Sequence, residues 1–274
     1  VVPWGRSLDE YRKMFALTQE DLRGRILDCA SGPASFNAEA TEAGHQVVSC
    51  DPLYRFSADA IRRRVEETAD TLLANVREHT DRFVWHHVEF PERLREIRLS
   101  AMHRFLEDLP AGLESGRYHT DALPHLRCAD GAFDLALCSH LLFLYSDTLS
   151  LEFHLSAVEE MARVAGEVRV FPLLEAYGAP SPHLRPVVSA LRDRGYAVEI
   201  RRVPYEFLRG GNEVLSPSRV LDCAERGPAA GVRSPPPAGR FGFRDDSNSV
   251  ISASIHSAPW KRATLTRWWP SWTK

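Results

Sequence analysis

Long apolar runs are missing from this chain of 274 residues. No stretch approaches the roughly 18 apolar residues that span a bilayer. The opening Val1-Val2-Pro3-Trp4-Gly5-Arg6 lacks the charged-then-apolar plan of a secretion signal. A cytoplasmic protein with no membrane attachment is therefore expected, and a first residue of Val is expected for a fragment or an alternative start. Cysteine is scarce: Cys29, Cys50, Cys128, Cys138 and Cys223 are odd in number and form no CxxC pair. Neither a disulfide framework nor a zinc site is expected from them, and a reducing compartment suits free thiols packed as small hydrophobes. No excess of one charge exists either, with 34 basic and 37 acidic residues. Nothing in that balance favours nucleic acid. His86-His87 and His103 lack the spacing that puts metal ligands on one helix face, so no metal is expected. What remains is an ordinary globular composition, 44% hydrophobic and 26% charged, with length for one large domain or one domain with additions.

Composition changes near residue 216. The last 59 residues hold seven Pro, nine Ser and four of the six Trp, and carry net +5 against −8 for the rest. They show neither helical nor strand period, so residues 216–274 are expected to be a low-complexity, disordered tail. The simplest expectation is a tail with no specific role; a basic, aromatic-rich arm for an anionic partner is the functional alternative, and a shifted reading frame is another origin for such a composition.

The first 215 residues alternate strand and helix. A helix from Leu8 to Leu17 opens at Ser7, with Glu10 three residues on as a capping-box partner. Short apolar strands are expected at Arg25–Ala30, Gln46–Asp51, Arg117–Thr120, Phe133–Cys138, Glu167–Phe171 and Ala197–Val203. Helices are expected at Ser35–Ala43 closed by Gly44, at Leu149–Val164, and at His183–Arg194 ended by Gly195. Residues 57–114 read as a charged helical insertion broken near Pro91 and Pro110. This alternation argues for an α/β fold, a Rossmann-like doubly wound and mostly parallel sheet covered on both faces. Ligands bind such sheets beyond the carboxyl ends of the strands.

The informative stretch is Asp28-Cys29-Ala30-Ser31-Gly32-Pro33-Ala34-Ser35-Phe36, between a strand and a helix. Small residues at 30, 32 and 34 let backbone amides approach a ligand closely. Nineteen residues after Gly32 the second strand ends in Asp51, the place for a carboxylate that accepts both hydroxyls of a ribose. A nucleoside cofactor is implied. A dinucleotide site would want Gly-x-Gly-x-x-Gly, and Ala30 and Ser35 stand where two of those glycines belong. S-adenosylmethionine has no phosphate and needs only the looser pattern of an acid followed by small residues at alternate positions. A nicotinamide-dependent oxidoreductase and a non-catalytic nucleoside-binding module are the alternatives.

These segments, with Cys50-Asp51-Pro52-Leu53-Tyr54 and Asp130-Gly131-Ala132-Phe133-Asp134-Leu135-Ala136-Leu137-Cys138-Ser139-His140, resemble the class I S-adenosylmethionine-dependent methyltransferases. More narrowly they look like a poorly characterised bacterial group of them, over about Trp4 to Leu215. The resemblance implies a cofactor held by Asp28, Ala30, Ser31, Gly32, Pro33 and Ala34 at its methionine part and by Asp51 at its ribose. It implies Pro52 and Leu53 beside the adenine, and Asp121, Ala122 or Leu123 hydrogen-bonding it. Ser139 would meet the methionine end. His140 would face a small-molecule acceptor as general base or orienting donor. The family closes its sheet with an antiparallel hairpin, and here the pattern stops after Leu215, so a truncated last strand is expected. The insertion reads either as a charged helical elaboration exposed on one face or as a lid, with Phe83, Trp85, Phe90, Met102 and Phe105 shaping an acceptor pocket. Tyr11 and Arg12 are candidates to cover the cofactor.

Overall fold

Ser7 accepts from the Glu10 amide and the Glu10 carboxylate accepts from the Ser7 amide, so helix α1 (Leu8–Met14) starts at a complete capping box. It stops three residues short of the expected end, because Ala16 turns into the left-handed region at φ 48°. The computed structural model describes residues 4–86 and 88–219. His87, Cys223 and the expectations for the tail beyond Arg219 lie outside them. Strands β1 (Arg25–Cys29) and β2 (Gln46–Cys50) flank α2 (Phe36–Glu42), which ends before Gly44 at φ 84°. After the insertion come β3 (Tyr118–His119), β4 (Phe133–Ser139), α5 (Leu151–Val164), β5 (Ala165–Phe171), α6 (Leu184–Asp193), β6 (Tyr196–Arg202) and β7 (Glu213–Arg219).

The seven strands form one sheet in the order β3-β2-β1-β4-β5-β7-β6. The first five are parallel, and β7 runs antiparallel to both β5 and β6. Alternate residues serve opposite faces. Leu27, Val48, Ala136 and Val168 pack with Val158 and Met161 of α5 and Val187 and Leu191 of α6. Ile26, Val47, Leu135 and Leu137 pack with Tyr11 and Met14 of α1 and Phe36 of α2. The doubly wound α/β architecture is thus present, with helices on both faces of the sheet.

Three expectations need correction. The closing strand is not truncated: β7 runs to Arg219, so Ser216–Arg219 belong to the sheet rather than to a tail. Its Ser-Pro-Ser end carries no apolar alternation, although Ser216 and Pro217 are buried. The insertion does not break at Pro110. It is a pair of helices, α3 (Ala58–Glu78) and α4 (Pro91–Glu114), and α4 continues through that proline. A proline inside a helix costs about 3 kcal/mol, and packing on both sides of it offsets that cost. Leu109 is buried, and Gly112 lies so close to Tyr118 that a Cβ there would stand 2.2 Å from its ring. The five aromatic and sulfur residues expected to shape one pocket are also divided. Met102 and Phe105 are buried with Leu53, Tyr54 and Tyr118 at one end, Phe83 and Trp85 pack on Phe207 at the other, and Phe90 is 47% exposed.

The role of β7 is testable by truncation. A chain ending at Leu215 loses the register pairs of Ser216 through Arg219 with β6. It should melt at least several degrees below a chain ending at Arg219, since about 1 kcal/mol moves the midpoint of a domain this size by roughly 2–4 °C. Equal melting temperatures would show that the last four residues add nothing to the sheet.

Candidate functional site

The loops after β1, β2 and β4 at the carboxyl end of the sheet are each pinned by the neighbouring strand before they depart. The Ala30 amide donates to the Cys50 carbonyl at 2.8 Å, the Asp51 amide to His119 at 2.9 Å, and the His140 amide to Phe171 at 2.7 Å. Beyond β1 and β4 the chain then turns by one device. Ala30 and His140, the first residues past those strands, both sit at φ 55°. For residues with a side chain this backbone costs about 1–2 kcal/mol each, and strain of this kind concentrates at functional sites.

Gly32 also lies in the left-handed region, at φ 57°, and a Cβ there would meet nothing within 4 Å. Its amide donates to Asp51 Oδ2 at 3.0 Å, while the Leu53 amide donates to Asp51 Oδ1 at 2.7 Å. The Asp51 carboxylate therefore ties the β1 loop to the β2 loop. Each oxygen keeps a second lone pair, and the residue is part-exposed. Burial raises its pKa, against the two amides that favour its charge.

The expected site residues divide into two layers. Ala30, Gly32, Asp51, Pro52, Ala122 and His140 are part-exposed and form the accessible rim. Ser31, Pro33, Ala34, Leu53, Leu123 and Ser139 are buried behind it. Two roles change. Asp28 does not line the rim: it is 0% exposed and accepts from Ser31 and from Tyr11 at 3.2 Å. It braces the loop from below, and burial pushes its pKa up to about 7. Asp121, 8% exposed, accepts from the Arg127 amide at 3.1 Å and from Arg127 Nε at 2.7 Å. Its carboxylate closes its own turn, which leaves any adenine contact there to Ala122 and the backbone.

His140 Nδ1 and Ser139 Oγ lie 2.7 Å apart in hydrogen-bond contact, and the ring meets Phe171 edge-on at 5.6 Å. Burial first, then Arg6 and Arg98, holds the His140 pKa well below the usual histidine range. The imidazole is neutral at pH 7. A weakly basic ring suits hydrogen bonding and orientation better than equilibrium proton capture.

The sequence did not reveal the groups that cover this rim. Gly5 presses on the Pro33 carbonyl, where a Cβ would come within 2.0 Å. The Tyr54 hydroxyl donates to the Gly32 carbonyl at 3.0 Å. Arg98, from the middle of α4, is fully buried and donates to the Gly5 carbonyl at 3.4 Å and to Glu10 at 2.6 Å. On a helical wheel Arg98 is one of many charged residues of the insertion, and only its burial distinguishes it. Tyr11 is buried against Asp28, whereas Arg12 is half-buried with its Nε unpartnered.

Among the described residues no group of three or more His, Cys, Asp or Glu could hold a metal ion. No described helix is long and apolar enough to cross a membrane. Cys29, Cys50, Cys128 and Cys138 are free and buried. The residues present fit S-adenosylmethionine: the space over Gly32 admits a ligand against the backbone, and a part-exposed carboxylate stands at the end of β2.

No family model matches the chain. Solved structures similar to it include a SAM-dependent methyltransferase from Methanosarcina mazei, at 14% identity and TM-score 0.39 over 75% of this chain and 95% of that one. Another is magnesium protoporphyrin IX methyltransferase from Synechocystis PCC 6803, at 14% identity and TM-score 0.39 over 73% of this chain and 77% of that one. Scores this low carry no chemistry from those proteins to this chain. In sequence, the uncharacterised protein MJ0045 of Methanocaldococcus jannaschii is 30% identical over 212 residues, 77% of this chain and 93% of the relative. That relative is archaeal, where the sequence had suggested a bacterial group. At this identity and coverage the chain belongs to the family of MJ0045.

Proposed function

We propose that the chain is an S-adenosylmethionine-dependent methyltransferase acting on a small-molecule acceptor in the cytoplasm. The observation that carries this reading is the accessible rim of Ala30, Gly32 and Asp51 on β1 and β2, continued by His140 at the end of β4. The free lone pairs of Asp51 would accept the ribose hydroxyls, and Pro52 and Ala122 would border the base. The bound cofactor supplies an electrophilic methyl group. The chain's own part is to place an acceptor against the β4 end, to exclude water, and to hold the acceptor's proton or lone pair in line. Neutral His140, fixed through Ser139, is the residue for the last task.

Calorimetric titration tests the cofactor. S-adenosylmethionine and S-adenosylhomocysteine should bind and NAD should not. Asp51→Ala should weaken both by about tenfold or more, the share of charge-assisted hydrogen bonds. Unchanged affinity in a variant that still melts cooperatively would remove the ribose assignment.

His140 can be tested before any acceptor is known. Its folded pKa lies below the roughly 6.5 of the unfolded chain. Its contribution to stability is therefore present above about pH 6.5 and is lost as pH falls from there toward the folded pKa. His140→Asn, which tolerates the left-handed backbone, should remove that part of the acid slope in denaturant melts. It should also keep S-adenosylhomocysteine affinity. An unchanged slope would show that folding does not lower the His140 pKa, and joint loss of stability and affinity would make His140 a structural residue. Once an acceptor is found, the same variant should lower turnover by roughly 10²–10⁴-fold if the ring takes a proton.

A further inference from the structure

Strand β6 is the last strand of the sheet, and among the described residues no strand pairs with its outer side. It is seven residues long, whereas β3 at the opposite edge has two. Which of its backbone groups are open follows from the pairing with β7. The Val203 amide, just past the strand, donates to the Asn212 carbonyl on the β7 side at 2.9 Å. In an antiparallel ladder successive residues turn their amides and carbonyls to opposite neighbours. Ala197, Glu199 and Arg201 therefore face β7, and Tyr196, Val198, Ile200 and Arg202 face outward. The outward Val198 carbonyl accepts from the exposed Arg192 guanidinium of α6 at 3.3 Å. A long open edge is a template for another strand unless its side chains forbid it.

The side chains of β6 invite one partner in particular. Tyr196 and Val198 are half-buried against the core, and Ile200, next on the same face, is 41% exposed. The other face carries Glu199 and Arg201, one residue to either side of Ile200. Glu199 is exposed and makes no ion pair among the described residues. Arg201 is half-buried and approaches Glu167 at 3.9 Å, but that carboxylate is already held by Arg169 at 2.6 Å. The Nε and Nη2 of Arg201 make no hydrogen bond.

These charges match their own copy in one register. A two-fold axis through Ile200 sets two β6 strands antiparallel, with Ile200 against Ile200, Glu199 against Arg201 and Val198 against Arg202. The outward amides and carbonyls of Val198, Ile200 and Arg202 then face one another, as an antiparallel ladder requires. An axis one residue earlier opposes Glu199 to its own copy, and one residue later it opposes Arg201 to its own copy. Opposite charges across a ladder stabilise it and like charges destabilise it. In a two-fold contact each such pair occurs twice.

We infer that the protein pairs with a second copy of itself through β6, joining two sheets edge to edge about an axis at Ile200. Arg192 then releases the Val198 carbonyl, a change confined to one exposed side chain. The inference is independent of the cofactor reading. Strands β4, β5 and β7 lie between β6 and β1, so the contact does not involve the proposed cofactor rim.

Sedimentation equilibrium of the full-length chain tests this. Run up to about 100 µM, where even a weak interface registers, it should fit a monomer–dimer equilibrium. Glu199→Arg sets like charges opposite each other and should weaken the dimer at least about tenfold, and adding Arg201→Glu should restore it. Ile200→Pro removes an amide that faces the open edge and none that faces β7, so it should leave the chain folded and monomeric. If the double variant does not fold, Glu199→Arg and Ile200→Pro decide between them. A chain that stays monomeric throughout overturns the inference, because the edge is then covered by residues 220–274 or takes no strand at all. A dimer that neither Glu199→Arg nor Ile200→Pro weakens also overturns it, since that dimer forms on another surface. A folded double variant that associates no better than Glu199→Arg overturns the register about Ile200.

Discussion

The bridge from Asp51 to the Gly32 and Leu53 amides is the contact on which the geometry of the site depends. Strands β1 and β2 end in register, Cys29 opposite Cys50, so the two loops leave the sheet side by side. A single carboxylate can then hold both. It fixes the glycine loop in its left-handed turn and caps the short helical turn Pro52–Arg55. The loop is held from below by Asp28 through Ser31 and Tyr11. One acidic side chain supports the loop's base and the other ties its crest.

The rim is closed by parts of the chain far apart in sequence. The N-terminal segment lies on Pro33, α4 contributes Arg98, and the β6–β7 connection contributes Tyr205. Their meeting point is the buried Arg98–Glu10 pair. Such a pair adds little net stability over an apolar contact, yet removing one partner costs about 3–5 kcal/mol because a lone charge stays buried. The pair thus specifies how the insertion docks. A second clasp lies two residues further along the same connection, where Val84 donates to the Phe207 carbonyl at 2.8 Å and Phe83 stacks on Phe207 at 4.8 Å.

Much of the frame was legible because its signals are local. Strand-end position, small residues after β1 and the glycines after α2 and α6 each act over a few residues, and the structure places Gly44 and Gly195 at φ 84° and 83°. Spacing alone also put Asp51 at the end of β2, beside the glycine loop that it ties. The rest depends on tertiary contacts. Pro110 continues α4 because Gly112 seats on Tyr118. The role of Asp28 changed because burial and three hydroxyl groups engage it. Arg98 and Glu10 are 88 residues apart, and neither carries a local mark of the other. The left-handed backbone at Ala30 has no mark in its residue type, and at His140 only the mild preference of histidine for that region.

The most direct measurement is a crystal structure of the full-length chain grown with S-adenosylhomocysteine. The expected result is a ribose on Asp51, with the thioether sulfur beside Ser139 and His140. A nucleoside bound elsewhere, or an Asp51 carboxylate still holding only Gly32 and Leu53 in crystals saturated with the compound, would contradict the assignment of this rim as the cofactor site.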